Sequence, residues 1–210
     1  VSKLRILAAI LFLLLALPLQ AAREAPKLLV FGDSLSAGFG LARGEGWVEL
    51  LQQRLAREGY PHQVVNASIS GETSSGGKAR IDAALKHFRP AVVVLELGAN
   101  DGLRGTSLDT LRDNLDAIAA ATRKSGAKLM IVGMRLPPNY GPAYTKRFTD
   151  TFADTARKHQ AALVPFLFSG IEDQPEFFLP DRLHPSAMAQ AKLLDTVWPV
   201  LRPLLGTPRK

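Results

Sequence analysis

The segment from Ala91 to Leu97, Ala-Val-Val-Val-Leu-Glu-Leu, constrains the fold of this 210-residue chain more than any other stretch. It runs without the apolar-polar alternation of a strand with one wet face. Such a run needs apolar cover on both sides, the situation of a central strand in a parallel sheet. A parallel sheet in turn requires crossover connections, usually helices, and the rest of the sequence supplies them. Short apolar runs at 27–31, 63–65, 128–132 and 162–166 alternate with helical periodicity at 46–57, 76–88, 108–124 and 143–159. A last helix is expected from just after Pro185 to about Trp198, where Pro199 and Pro203 disturb its end. Five strand–helix alternations predict one α/β domain, a three-layer α/β/α sandwich on a mostly parallel five-stranded sheet. Ligands in that architecture bind beyond the carboxyl ends of the strands.

The N-terminus is different in kind. Lys3 and Arg5 precede a stretch from Ile6 to Leu19 with no charge, and the small residues Ala21 and Ala22 come before charge returns at Arg23. This is the layout of a secretory signal peptide, too short for a membrane span. The expected organisation is therefore a leader at 1–22 and a single domain at 23–210, in a periplasmic or secreted protein. Without the leader, 24 Lys+Arg stand against 19 Asp+Glu, a net charge of +5. No run of five or six basic residues concentrates that excess, so a nucleic-acid partner is not expected. The absence of cysteine excludes disulfides, cysteine-based zinc sites and a cysteine-linked lipid anchor.

Four loops that follow predicted strands carry reactive or hydrogen-bonding residues: Asp33-Ser34, Asn66 to Gly71, Gly98-Ala99-Asn100-Asp101, and Asp181-Arg182-Leu183-His184. Serine is a poor nucleophile unless a base takes its proton, and imidazole exchanges protons near neutral pH. Of His62, His87, His159 and His184, only His184 has a carboxylate poised beside it. Asp181, three residues earlier, can accept the Nδ1 proton and leave Nε2 to face a serine; a carboxylate before a helix is also a common cap. A tetrahedral intermediate needs oxyanion donors. The Gly71 backbone N–H and the Asn100 amide are candidates, although a positive-φ turn and an Asx-turn would account for them equally well.

Together these residues resemble the SGNH hydrolases, the GDSL-type esterase family. The four blocks read here as Gly32-Asp33-Ser34-Leu35-Ser36, Gly71, Gly98-Ala99-Asn100-Asp101 and Asp181-Arg182-Leu183-His184, in the family's order over about residues 27–200. The resemblance implies a flavodoxin-like sheet, Ser34 as nucleophile and first oxyanion donor, Gly71 and Asn100 as the other donors, His184 as general base and Asp181 as its orienting partner. Ala99 departs from the common pattern without touching a catalytic position.

A finer similarity, to the periplasmic thioesterase/arylesterase/lysophospholipase subgroup, rests on Gly98–Arg104 and on Leu136–Gly141 followed by Tyr144. It implies a substrate loop at Asp101–Thr106 that moves on acyl binding, and substrate contacts from Asp33, Asp101, Gly102, Leu103, Pro138, Asn139 and Tyr140. The implied substrates are aryl esters, fatty acyl thioesters and lysophospholipids. The implied enzyme is a monomer in transient contact with lipid surfaces, using neither metal nor organic cofactor.

Other readings fit less well. Gly71 to Lys78 looks like a phosphate-binding loop, but Gly77 takes the lysine position and Ala79 follows Lys78 where Ser or Thr is required. The G-x-S-x-G elbow of α/β-hydrolases is missing because position 36 is serine. H-E-x-x-H is absent. A catalytically dead binding module would be expected to have lost one of Ser34, Asn100 or His184.

Overall fold

The computed structural model describes residues 24–208, so the expected leader at 1–22 lies outside the described residues. The described residues open with β1 (Lys27–Gly32), a single turn α1 (Ser34–Ala37) and α2 (Trp47–Arg57). Then come β2 (Gln63–Asn66), α3 (Ser74–Phe88), β3 (Val92–Glu96), the short α4 (Ala99–Leu103) and α5 (Leu108–Lys124). β4 (Lys128–Val132), α6 (Pro142–His159), β5 (Ala162–Val164) and α7 (Ala187–Leu201) complete it.

The five strands order as β2-β1-β3-β4-β5 and every pairing is parallel. β3 is central and all five of its residues are buried, as its unbroken apolar run requires. α3, α5 and α6 pack side by side over one face, and α2 packs with α7 over the other. Leu111, Leu115 and Ile118 of α5 are fully buried, as are Phe148 of α6 and Leu51 and Leu55 of α2. Each large apolar side chain buried this completely contributes roughly 1.5–3 kcal/mol.

Two boundaries differ from expectation. α3 begins at Ser74 because the Thr73 side chain caps it, accepting from the Gly76 N–H at 3.4 Å. α7 passes through Pro199 and ends at Leu201, because a proline in the last turn removes a single hydrogen bond, and the chain tightens into a 3₁₀ turn at Arg202–Leu204. The order β2-β1-β3 places the reversal of connection direction between β1 and β3, where crevices open in such sheets. Ser34 directly follows β1, and Asn100 follows β3.

Candidate active site

The turn that carries Ser34 is built by its neighbours. Asp33 caps α1, its Oδ1 accepting the Leu35 N–H at 3.0 Å. Trp47 Nε1 donates to the Leu35 carbonyl at 3.1 Å, and Asn66 Nδ2 to the Ser36 carbonyl at 2.8 Å. Gly38, at φ +77°, lets the chain leave α1 after one turn. Ser34 is thus held at the start of a one-turn helix, and its N–H has no acceptor among the described residues.

His184 arrives on a loop tied down separately. An isolated bridge joins Phe178 to Pro185, the Leu179 N–H donates to the His184 carbonyl at 2.7 Å, and Arg182 sits at φ +57°. Gln190 links this loop to the nucleophile side: its Oε1 accepts the Trp47 N–H at 3.0 Å while its Nε2 donates to the Pro185 carbonyl at 3.1 Å. The imidazole meets Ser34 Oγ through Nε2 at 3.0 Å and Asp181 Oδ2 through Nδ1 at 2.8 Å. A carboxylate opposite Nδ1 keeps the proton there and leaves the Nε2 lone pair to accept from the serine hydroxyl. Asp181 Oδ1 also accepts the N–H groups of Leu183 and His184 at 2.9 and 3.0 Å. The His184 N–H above all, with the Leu183 N–H and the imidazole adding to it, lowers the Asp181 carboxyl to about 2. The Phe39 ring covers the imidazole with centroids 4.4 Å apart.

Asn100 lies beside this relay. Its Nδ2 donates to Asp33 Oδ2 and to the Glu72 carbonyl, both at 3.0 Å, which couples the β3 loop to the nucleophile turn and to the Gly71 loop. Gly71 has φ +79°, a left-handed turn that calls for glycine. Its N–H also has no acceptor among the described residues.

Ser34, Asn100 and His184 open onto a cavity of about 470 Å³, within the usual size for a small-molecule site. Its walls are mainly apolar, with Leu103, Leu136, Pro138, Phe166, Phe168 and Phe178 among them. Asp33 borders it too, but its carboxylate is already engaged by Leu35 and Asn100.

Four of the residues expected to touch substrate are placed elsewhere. Asp101 is buried, accepting Ser74 Oγ at 2.6 Å and the Ser74 N–H at 2.8 Å. Gly102 gives close passage to Leu136 and Phe148, each 2.7 Å from where a Cβ would stand. Asn139 is exposed in a 3₁₀ turn, and the Tyr140 hydroxyl donates to the Leu103 carbonyl at 3.1 Å; neither lines the cavity. Asp101, Gly102 and Tyr140 support the wall from behind, because the α4 turn faces the cavity with Ala99, Asn100 and Leu103 only.

The other histidines sit apart from the relay. His159 Nε2 meets Asp116 at 3.0 Å, His87 packs edge-on against Phe88, and His62 is buried beside β2. The loop that looked fit for phosphate is filled by its own acid: a Cβ on Gly76 would collide with the Glu72 carboxylate, which pairs with Arg80 Nε at 2.5 Å. Among the described residues no cluster of His, Cys, Asp or Glu is arranged to hold a metal ion. Glu96 was missed as a site residue, although a lone acid inside the most apolar strand was the signal that could have flagged it.

Known proteins resemble the chain over most of its length. A family model described as GDSL-like Lipase/Acylhydrolase family matches residues 30–192. The chain is 50% identical over 192 residues to Esterase TesA of Pseudomonas aeruginosa, covering 91% of this chain and 94% of that protein. It is 36% identical over 195 residues to Thioesterase 1/protease 1/lysophospholipase L1 of Escherichia coli strain K12, covering 93% and 92%. The crystal structure of a TesA superposes with a TM-score of 0.84 at 50% identity, covering 85% of this chain and 99% of that one. A matched family model spanning all four loops, on a fold shared with a solved member, leaves one conclusion: the chain belongs to the GDSL-like lipase/acylhydrolase family.

Proposed function

We propose that this chain is a serine esterase and thioesterase that hydrolyses aryl esters, fatty acyl thioesters and lysophospholipids through an acyl-enzyme on Ser34. The observation that carries the reading is the hydrogen-bonded relay Ser34–His184–Asp181 at the mouth of an apolar cavity. Ser34 Oγ attacks the acyl carbonyl while its proton passes to His184 Nε2. The imidazolium then protonates the leaving alkoxide, phenolate or thiolate as the C–O or C–S bond breaks. Water, deprotonated by the same Nε2, releases the acid from Ser34.

The N–H groups of Ser34 and Gly71 and the Asn100 amide are the proposed oxyanion donors. Both Nδ2 hydrogens of Asn100 are engaged in the free enzyme. The bond to the neutral Glu72 carbonyl is the one exchanged for the oxyanion, since the charge-assisted bond to Asp33 is stronger. One such donor is worth about 3–4 kcal/mol in the transition state. Leu103, Leu136 and the Phe166–Phe178 side of the cavity receive the acyl chain.

Export after removal of the 1–22 leader belongs to the same reading, as does action as a monomer. No helix among the described residues is long and apolar enough to cross a membrane. The large exposed apolar side chains Phe39, Ile69, Leu183 and Met188 all sit on segments adjoining site residues, which supports transient contact with lipid surfaces.

The test is Ser34→Ala assayed with p-nitrophenyl butyrate and with acyl-CoA and lysophospholipid substrates of several chain lengths. Loss of at least about 10³ in kcat is expected on every cleaved substrate. Retention of activity within about tenfold of wild type would overturn the assignment.

A further inference from the structure

The mechanism above leaves one buried ionisable group unused. Glu96 ends β3, opposite Gly32 of β1 in the strand register, and is fully buried beneath the nucleophile turn. Its Oε2 accepts from Ser36 Oγ at 2.8 Å and from the Asp33 N–H at 3.3 Å. Gly32 makes room for it: a Cβ there would stand 2.7 Å from Oε2 and 2.9 Å from the Glu96 carbonyl. Oε1 is buried and has no hydrogen-bond partner among the described residues, and the buried Asp33 carboxyl is the ionisable neighbour of this group.

Two neighbouring acids buried away from solvent have only acceptors to offer each other when both are ionised, so one of them keeps its proton. It belongs on Glu96. Burial, followed by the charge of Asp33, pushes the Glu96 acid well above the ordinary range, against weak support from one hydroxyl and one long N–H bond. Asp33 is raised only to about 6, by burial, because Leu35 and Asn100 donate to its charged form. The charged groups facing the pair are its own two members and His184, which acts on Asp33 through space.

We propose that Glu96 is a positioning residue that works as a neutral carboxylic acid. Its O–H donates to the Asp33 carboxylate, which holds the Leu35 N–H on one side and the Asn100 amide on the other. Nucleophile turn and oxyanion donor are thereby set from one buried point. The inference rests on the serine-hydrolase reading above.

The experiment compares wild type, Glu96→Gln and Glu96→Leu, with kcat and KM for p-nitrophenyl butyrate measured from about pH 5 to about pH 10. Wild-type kcat is expected to fall on the alkaline side as Glu96 loses its proton and the two carboxylates repel. Glu96→Leu should lose about 30-fold or more in kcat with KM changed less than about threefold, since misplacement and not binding is at fault. Glutamine keeps the shape and a donor, so Glu96→Gln should recover most of that loss and lack the alkaline fall. A Gln variant as impaired as Leu, a Leu variant equal to wild type, or an alkaline limb unchanged in the Gln variant would each overturn the proposal. Should Glu96→Leu not fold, the pH profile of Glu96→Gln decides alone. Labelling of wild type by a fluorophosphonate probe, lost in Ser34→Ala, tests the serine reading separately from Glu96.

Discussion

Replacing Asp181 with asparagine would test the relay at its most informative atom. The carboxylate divides its work: Oδ1 accepts two main-chain N–H groups, and Oδ2 alone accepts the His184 Nδ1 proton at 2.8 Å. Asparagine has the same shape, and its amide oxygen can keep both main-chain bonds. The atom then facing Nδ1 is an NH₂ group, a donor. Nδ1 must become an acceptor, which moves the ring proton to Nε2, against Ser34 Oγ 3.0 Å away. The base can no longer take the serine proton, and the imidazolium loses its counter-charge. The same exchange in a serine protease with a buried aspartate costs about 10⁴ in kcat. Here the Asp181 side chain is 39% exposed, so water competes for Nδ1 and the expected loss is about 10²–10³, roughly 3–4 kcal/mol of transition-state stabilisation. The assay is kcat and KM on p-nitrophenyl butyrate, with urea unfolding alongside. KM should hold, and stability should stay within about 1 kcal/mol because the loop bonds survive. A kcat within threefold of wild type would show that the tautomer argument is wrong.

Two further outcomes follow from Gly32 and Glu96. Gly32→Ala places a methyl 2.9 Å from both Ser36 Oγ and the Glu96 main-chain carbonyl; it should cost about 1–3 kcal/mol in urea unfolding and roughly 10–100-fold in kcat, and a variant equal to wild type in both would refute the close packing. Glu96 keeps its proton in the fold but loses it in the unfolded chain above about pH 4.3, so its contribution to stability is complete below that pH and is lost as pH rises through its raised folded value. Glutamine has no proton to lose, so Glu96→Gln should gain on wild type in urea midpoint from pH 5 to pH 8, and a gap constant with pH would contradict a protonated Glu96.

The legible part of this molecule is the part written in local pattern. The continuous apolar run at 92–96 announced a strand covered on both sides, and Leu111, Leu115 and Ile118 announced the buried face of α5, because burial on one side of a regular element leaves a period in the chain. Single-turn elements leave none. α1 and α4 have no room for periodicity, so Ser34 and Asn100 were expected in loops and were found at the starts of short helices. The Asp101-Gly102 and Asn139-Tyr140 pairs shared the motif neighbourhood of the site but not its cavity: one position along a helical turn rotates a side chain by about 100°, enough to turn Asp101 away to Ser74 while Asn100 lines the cavity.

By itself the sequence determined the fold class, the order of the four loops and the residue types able to perform acyl transfer, since these depend on which side chains occur and at what spacing. Tertiary structure alone decided which groups meet. Ser34 and His184 stand 150 positions apart in the chain and 3.0 Å apart in space, a distance set where α2 and α7 pack through Trp47 and Gln190. The protonation of Glu96 was equally beyond sequence. A carboxyl group's state depends on what surrounds it in three dimensions, and only the register of β1 with β3 places Glu96 without water beside Asp33.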